Sequence, residues 1–172
     1  MGQDTARLTP VGAVLRGLLA GAVGTVVMDL VLYRRYRSGG GQHDFFKWEF
    51  ASVKDWDKAP APAIVGNRIV EGFTSEPLPP DRAGFVNNVM HWGYGMGWAA
   101  AFAMVAGSLR RPFVALGAPF GATVWSSSYI LLPIAKLYKP IWEYDARTLW
   151  KDLSAHLAFG LGTSTAFALL RR

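Results

Sequence analysis

The sequence contains no cysteine and little charge: only 17% of its residues are Asp, Glu, Lys or Arg. Without cysteine there is no disulfide framework, no thiol nucleophile and no cysteine-held metal or iron–sulfur centre. Soluble domains carry roughly 25% charged residues, and here the few charges are also segregated. None occurs from Leu18 to Met28, Phe85 to Leu109, Pro112 to Ala135 or Leu153 to Leu170. A hydrocarbon core ~30 Å thick takes about 20 mainly apolar residues at 1.5 Å each. Runs of this kind exclude an ordinary soluble domain and favour a small polytopic membrane protein.

Acids are the scarcer sign, 12 against 18 Lys and Arg, giving a net charge of +6. The basic residues flank apolar runs instead of forming a stripe, so nucleic acid is not an expected partner. The first run ends in Arg34-Arg35-Tyr36-Arg37, a stop-transfer pattern and not a cleavage site.

Four transmembrane helices are expected, at about Val11–Tyr33, Gly84–Ser108, Pro112–Leu137 and Thr148–Leu170. A β-barrel is a poor alternative, because it needs many alternating segments. The fold class is therefore an all-α integral membrane protein, one membrane domain over residues 1–172. The link Arg34–Ala83 is long, Leu109–Arg111 is a tight hairpin and Tyr138–Arg147 is short. Phe46, Phe50 and Val53 at helical spacing, near Trp48 and Trp56, predict a short interfacial amphipathic helix in the first link. Pro62 is placed to open a second one through Ile64, Val65, Ile69 and Phe73, and Asp81 to cap the next span. Tyr33, Tyr36, Trp48, Trp56, Tyr138, Trp142, Tyr144 and Trp150 form an aromatic belt at one interface, with membrane lipids as the expected partners. That side holds 12 of the 18 Lys and Arg, which makes it the cytoplasmic side and places both termini outside.

The most specific feature is an internal duplication. His91-Trp-Gly-Tyr94-Gly95-Met-Gly97 through Ala101-Phe102-Ala103 can be laid on His156-Leu-Ala-Phe159-Gly160-Leu-Gly162 through Ala166-Phe167-Ala168, with six identities. Gly17-x3-Gly21-Ala22 and Gly117-x3-Gly121-Ala122 match more weakly. The chain then reads as two helical hairpins, about 11–108 (including the link 34–83) and 112–170, related by an axis along the membrane normal. Glycines at such positions allow close backbone approach. Gly93, Gly95 and Gly97 are read in that way and not as a nucleotide-binding string, and Pro119 and Pro133 are expected to bend the third helix.

Ionisable residues inside spans are costly and mark candidate sites. Asp29 lies ~6 Å inside the link-side end of the first span, and His91 and His156 lie ~10–12 Å inside the second and fourth. Asn87 and Asp152 precede the two histidines by one turn on the same face, and Tyr129 takes the repeat position of Asp29. This layer of Asp29, Asn87, His91, Tyr129, Asp152 and His156 has several readings. It can be an interhelical hydrogen-bond network. It can handle protons, ions or a small polar ligand, since histidine titrates near neutrality beside an aspartate. It can ligate haem through His91 and His156, with Gly95 and Gly160 making room for the porphyrin. It can also hold a metal ion through Asp29, His91, Asp152 and His156. No nucleophile triad or phosphate loop is recognisable, so no catalytic residue is assigned. Lys136, Lys139, Glu143, Asp145, Arg147 and Lys151 read as a mixed-charge interfacial collar.

Trp48-Glu-Phe, Asp57-Lys-Ala-Pro60-Ala-Pro62-Ala, Val65-Gly66, Asn87-Asn-Val-Met-His91-Trp-Gly-Tyr94-Gly, Lys139-Pro-Ile-Trp-Glu-Tyr-Asp145 and Asp152-Leu-Ser-Ala-His156 resemble a group of small actinobacterial four-helix membrane proteins. More distantly the chain resembles the YagU-like bacterial inner-membrane family. The resemblance covers nearly the whole chain. It implies a multi-pass protein of the bacterial cytoplasmic membrane and brings no reaction or ligand with it. The working function is a membrane component whose polar layer handles protons, ions or a small polar ligand. The alternatives are an accessory or scaffolding subunit of a larger complex, or a haem or metal carrier. Gly- and Ala-rich faces also make a homo-oligomer an expected partner state.

Overall fold

A computed structural model describes residues 8–50, 53, 55–108 and 113–171. These form six α-helices with no strand among the described residues. They are α1 (Pro10–Ser38), α2 (Phe45–Glu49), α3 (Ala61–Thr74), α4 (Ala83–Ser108), α5 (Gly117–Ile134) and α6 (Ala146–Leu170). The expected hairpin Leu109–Arg111 lies outside the described residues.

Local signals account for the helix ends. Thr9 opens α1 by accepting from the N–H of Gly12, with Pro10 at the first position. Asp145 opens α6, its carboxylate accepting from the N–H and hydroxyl of Thr148. Those bonds hold the Asp145 carboxyl below the usual aspartate range. The C-terminus of α5 is less regular. Lys136 takes a left-handed conformation at φ 57°, with its N–H donating to Pro133 O and that of Leu137 to Leu132 O. This is a Schellman turn with lysine where glycine is usual. Arg68 of α3 donates to the freed carbonyl of Ala135, tying α3 to the end of α5.

Two expectations change at these ends. Pro119 does not bend α5, because it stands in the first turn, where its missing N–H would have had no helical partner. Asp81 is drawn into a 3₁₀ turn (Pro80–Arg82) running directly into α4, and the N–H of Gly84 is taken by Val53 O instead. In the first link α2 stops before Val53 and α3 forms as expected. One face of α3 is buried through Ala63 and Gly66, the latter against Val86 and Met90 of α4. Ile69 and Phe73 on α3, and Phe46 and Phe50 at α2, remain exposed.

Helix α1 packs against both α4 and α6, and α5 packs against α6. Helices α4 and α5 meet through side chains, with the Phe102 and Phe120 rings 4.5 Å apart and Tyr94 Oη 3.1 Å from Ser127 Oγ. Small residues fill the crossings. Gly17 and Gly21 lie against Ala99, Ala100 and Ala103 of α4, Gly24 against Phe159 and Thr163, and Gly160 against Gly117 and Gly121. The larger apolar side chains point the other way: Leu15, Leu19, Val23 and Leu30 of α1 are exposed, Leu19 by 58%. Among the described residues, α1 and α6 are the helices long and apolar enough to cross a membrane by length and composition. The other two dilute their apolar character, α4 with His91, Trp92, Tyr94 and glycines, α5 with Ser126, Ser127, Ser128 and two prolines. At 18 residues α5 is also ~27 Å long, just under the thickness of a hydrocarbon core.

Candidate functional site

Near the C-terminal end of α1 and the N-terminal half of α4, His91 Nε2 lies 3.0 Å from Asp29 Oδ1. Their side chains are 26% and 3% exposed. A hydrogen bond of this length persists with the shared proton on either partner, donated by the imidazole N–H to a carboxylate or by a carboxyl O–H to the bare nitrogen. Asp29 Oδ2 and Asn87 Oδ1 are buried without a hydrogen-bond partner among the described residues. Buried polar atoms are rarely left so.

The expected layer is not one constellation. Its second part lies between α5 and α6, where buried Tyr129 interacts electrostatically with Asp152 and His156 Nδ1 is 3.0 Å from Asp152 O. A carbonyl only accepts, so His156 carries its proton on Nδ1 and, when neutral, presents a bare Nε2. Asp152 Oδ1 is 3.4 Å from the same nitrogen. The rings of Trp125, Tyr138 and Tyr144 pack around Tyr129, and burial pushes the Tyr138 phenol up from its ordinary value. Among the described residues no hydrogen bond or ion pair links this group to Asp29 and His91.

That division overturns the metal expectation, since no three His, Asp or Glu side chains among the described residues are gathered to hold an ion. The haem expectation fails for a related reason. A Cβ on Gly95 would meet Thr25 Oγ1 at 2.6 Å and the Phe159 ring at 3.3 Å, and one on Gly160 would meet Gly121 N at 2.6 Å. Neighbouring helices fill the space reserved for a porphyrin. The glycine reading is corrected too: Gly95 is a packing position, but a Cβ on Gly93 or Gly97 would meet nothing within 4 Å.

The pairing of α1 with α5 also shifts. A Cβ on Gly21 would meet Gly95 O, Met96 Cα and Ala99 Cβ, while one on Gly117 would meet Gly160 O, Leu161 Cα and Ser164 Oγ. Contact for contact, Gly117 stands in the place of Gly21 and not of Gly17, one helical turn from the sequence pairing. Trp125, not Tyr129, then occupies the counterpart of the Asp29 position. Tyr129 corresponds to Tyr33, and each tyrosine sits in a ring cluster at the same end of its helix.

Comparison with protein-family models, curated proteins and solved structures finds no match to this chain.

Two groups were not anticipated from the sequence. Glu49, the last residue of α2, accepts from Trp92 Nε1 at 2.9 Å and interacts electrostatically with Asp29 and His91. Burial pushes its carboxyl up from the ordinary glutamate value, an effect opposed by the Trp92 hydrogen bond. The second is a set of buried hydroxyls, Thr25, Thr163 and Ser164. Thr25 lies one turn from Asp29 on α1, and Gly24 faces Thr163. Nothing in the local pattern distinguished these residues from helix glue; Thr25 faces Gly95 of α4 and Ser164 faces Gly117 of α5.

Proposed function

We propose that the chain is a four-helix integral membrane protein, with α1, α4, α5 and α6 as its spans, that binds and releases protons at the Asp29–His91 pair. The membrane reading is supported by the inside-out character of the bundle. Its crossings are glycine and alanine, while exposed faces carry Leu15, Leu19 and Leu30 of α1, Met104 and Val105 of α4, Ile130 and Leu131 of α5, and Leu161 and Leu169 of α6. In water those faces would be left wet; in lipid they are solvated. Exposed Phe46, Phe50, Phe73 and Trp142 outside the spans, and Trp150 near the start of α6, are suited to a headgroup region. The cytoplasmic-membrane location, and the duplication into two hairpins in its corrected register, belong to the same proposal.

The observation that carries the proton reading is the open valence of Asp29. This carboxylate is almost wholly removed from solvent, bonded through one oxygen to an imidazole, and its other oxygen has no hydrogen-bond partner among the described residues. The pair needs no cavity to take up a proton. The test is proton uptake by the protein in lipid nanodiscs after an acid jump. Wild type should take up about one proton per chain more than Asp29→Asn, and His91→Gln should shift the pH at which it does so. Equal uptake by wild type and Asp29→Asn over the whole pH range would contradict the assignment.

A second reading, a subunit of a larger membrane assembly or homo-oligomer, is supported by the outer face of α4. Phe85 and Val89 are exposed there beside the open Gly93 and Gly97. Migration as a monomer in mild detergent and in native membranes would contradict it.

A further inference from the structure

We propose that Glu49 is the outer proton-exchange group of the Asp29–His91 pair, held at its mouth by Trp92. This rests on the proton reading of that pair and adds the route by which the proton arrives.

Glu49 reaches the site through tertiary structure. Asp44 caps α2 by accepting from the N–H of Lys47, and the rings of Phe45 and Trp48 pack onto Tyr33 and Tyr36 at the end of α1. This folds the short helix back over the bundle. Trp92, the residue after His91, then donates its indole N–H to Glu49 Oε1 at 2.9 Å. Glu49 and His91 are both partly buried, and Asp29 lies deeper, at 3% exposed. A buried carboxylate exchanges protons slowly with bulk water unless a group with partial access to both sides carries them. The ionisable groups facing Glu49 are Asp29 from α1 and His91 from α4, with Lys47 and Asp44 paired on its own helix. Its raised affinity for a proton, caused by burial and by Asp29, suits it to the task.

The transfer balances with one proton. The Glu49 carboxyl passes its proton, through water at the exposed edge of the imidazole, to His91 Nδ1. The imidazole releases its Nε2 proton to Asp29 Oδ1. Glu49 is left as the carboxylate and is reprotonated from the interface, and His91 returns to the other tautomer when the proton leaves by the reverse path.

The experiment is stopped-flow proton uptake in nanodiscs after an acid jump, comparing wild type, Glu49→Gln, Trp92→Phe and Asp29→Asn. The amide oxygen of Glu49→Gln still accepts from Trp92, so the fold is retained. Uptake by Asp29 should slow by about a hundredfold, within the usual range for loss of a general acid. A small membrane-permeant weak acid such as hydrazoic acid should restore it, which a purely structural role would not allow. Trp92→Phe keeps the ring but removes a hydrogen bond that lowers the affinity of Glu49 for a proton. It should therefore move the pH midpoint of the uptake rate upward. Wild-type rates in Glu49→Gln, with uptake still lost in Asp29→Asn, would overturn the assignment of Glu49 alone. Wild-type uptake in Asp29→Asn would overturn the reading on which it rests.

Discussion

Alanine at Gly160 is expected to lower the unfolding free energy by about 3 kcal/mol, while alanine at Gly93 leaves it unchanged or raises it by up to ~1 kcal/mol. The two glycines are indistinguishable by residue type and occupy similar small-residue motifs. At Gly160 the added carbon would meet Gly121 N at 2.6 Å and Gly121 Cα at 2.8 Å. These are backbone atoms of a neighbouring helix and cannot rotate aside, so α5 and α6 must separate along their whole contact. A gap at one crossing forfeits dispersion over many atom pairs. At Gly93 the same carbon meets nothing within 4 Å, and the exchange only removes the poor helix propensity of glycine. Reversible unfolding in mixed micelles of mild and denaturing detergent measures both. Equal effects at the two positions would mean that the crossing of α5 and α6 is drawn wrongly.

The second large effect concerns the buried pair. His91→Leu should cost about 3–5 kcal/mol, because it removes the hydrogen-bonding partner that the Asp29 side chain has among the described residues and leaves a buried carboxylate uncompensated. Asp29→Leu together with His91→Leu should recover most of that loss, since an apolar pair of similar volume is often as stable as the ionic one. The mutant cycle should thus show a coupling of at least ~2 kcal/mol. The same cycle on Tyr94 and Ser127, an exposed hydroxyl pair 3.1 Å apart, provides the contrast and should couple weakly. Additive effects of the Asp29 and His91 substitutions would show that the two side chains do not share a proton.

How much of this was legible in the sequence differs by level. The helices followed from segregated charge, because a run without ionisable residues leaves few alternatives to a buried or lipid-facing helix. The pairing of Asp29 with His91 followed from their common depth. The split of the layer did not. Periodicity assigns a residue to a helix face but does not say which neighbour that face meets, and here α1 sits between α4 and α6. Tyr129 was aligned with Asp29 through a Gly-x3-Gly match that repeats at every turn, so a slip of one turn costs nothing in sequence and moves the partner from Trp125 to Tyr129. Glu49 was hidden for another reason. Its place depends on Phe45 and Trp48 docking against Tyr33 and Tyr36, contacts between a short link helix and the end of α1. The clue available was the aromatic density around it, which reads equally well as an interfacial belt.

The pairing of Asp29 with His91 can be tested directly. Infrared difference spectroscopy between alkaline and acid pH, on the protein in nanodiscs, resolves the carbonyl stretch of a carboxyl group as it is protonated. The account predicts a band shifted toward the position of a desolvated carboxyl, absent in Asp29→Asn and displaced in His91→Gln. A spectrum of Asp29→Asn identical to that of the wild type would contradict it.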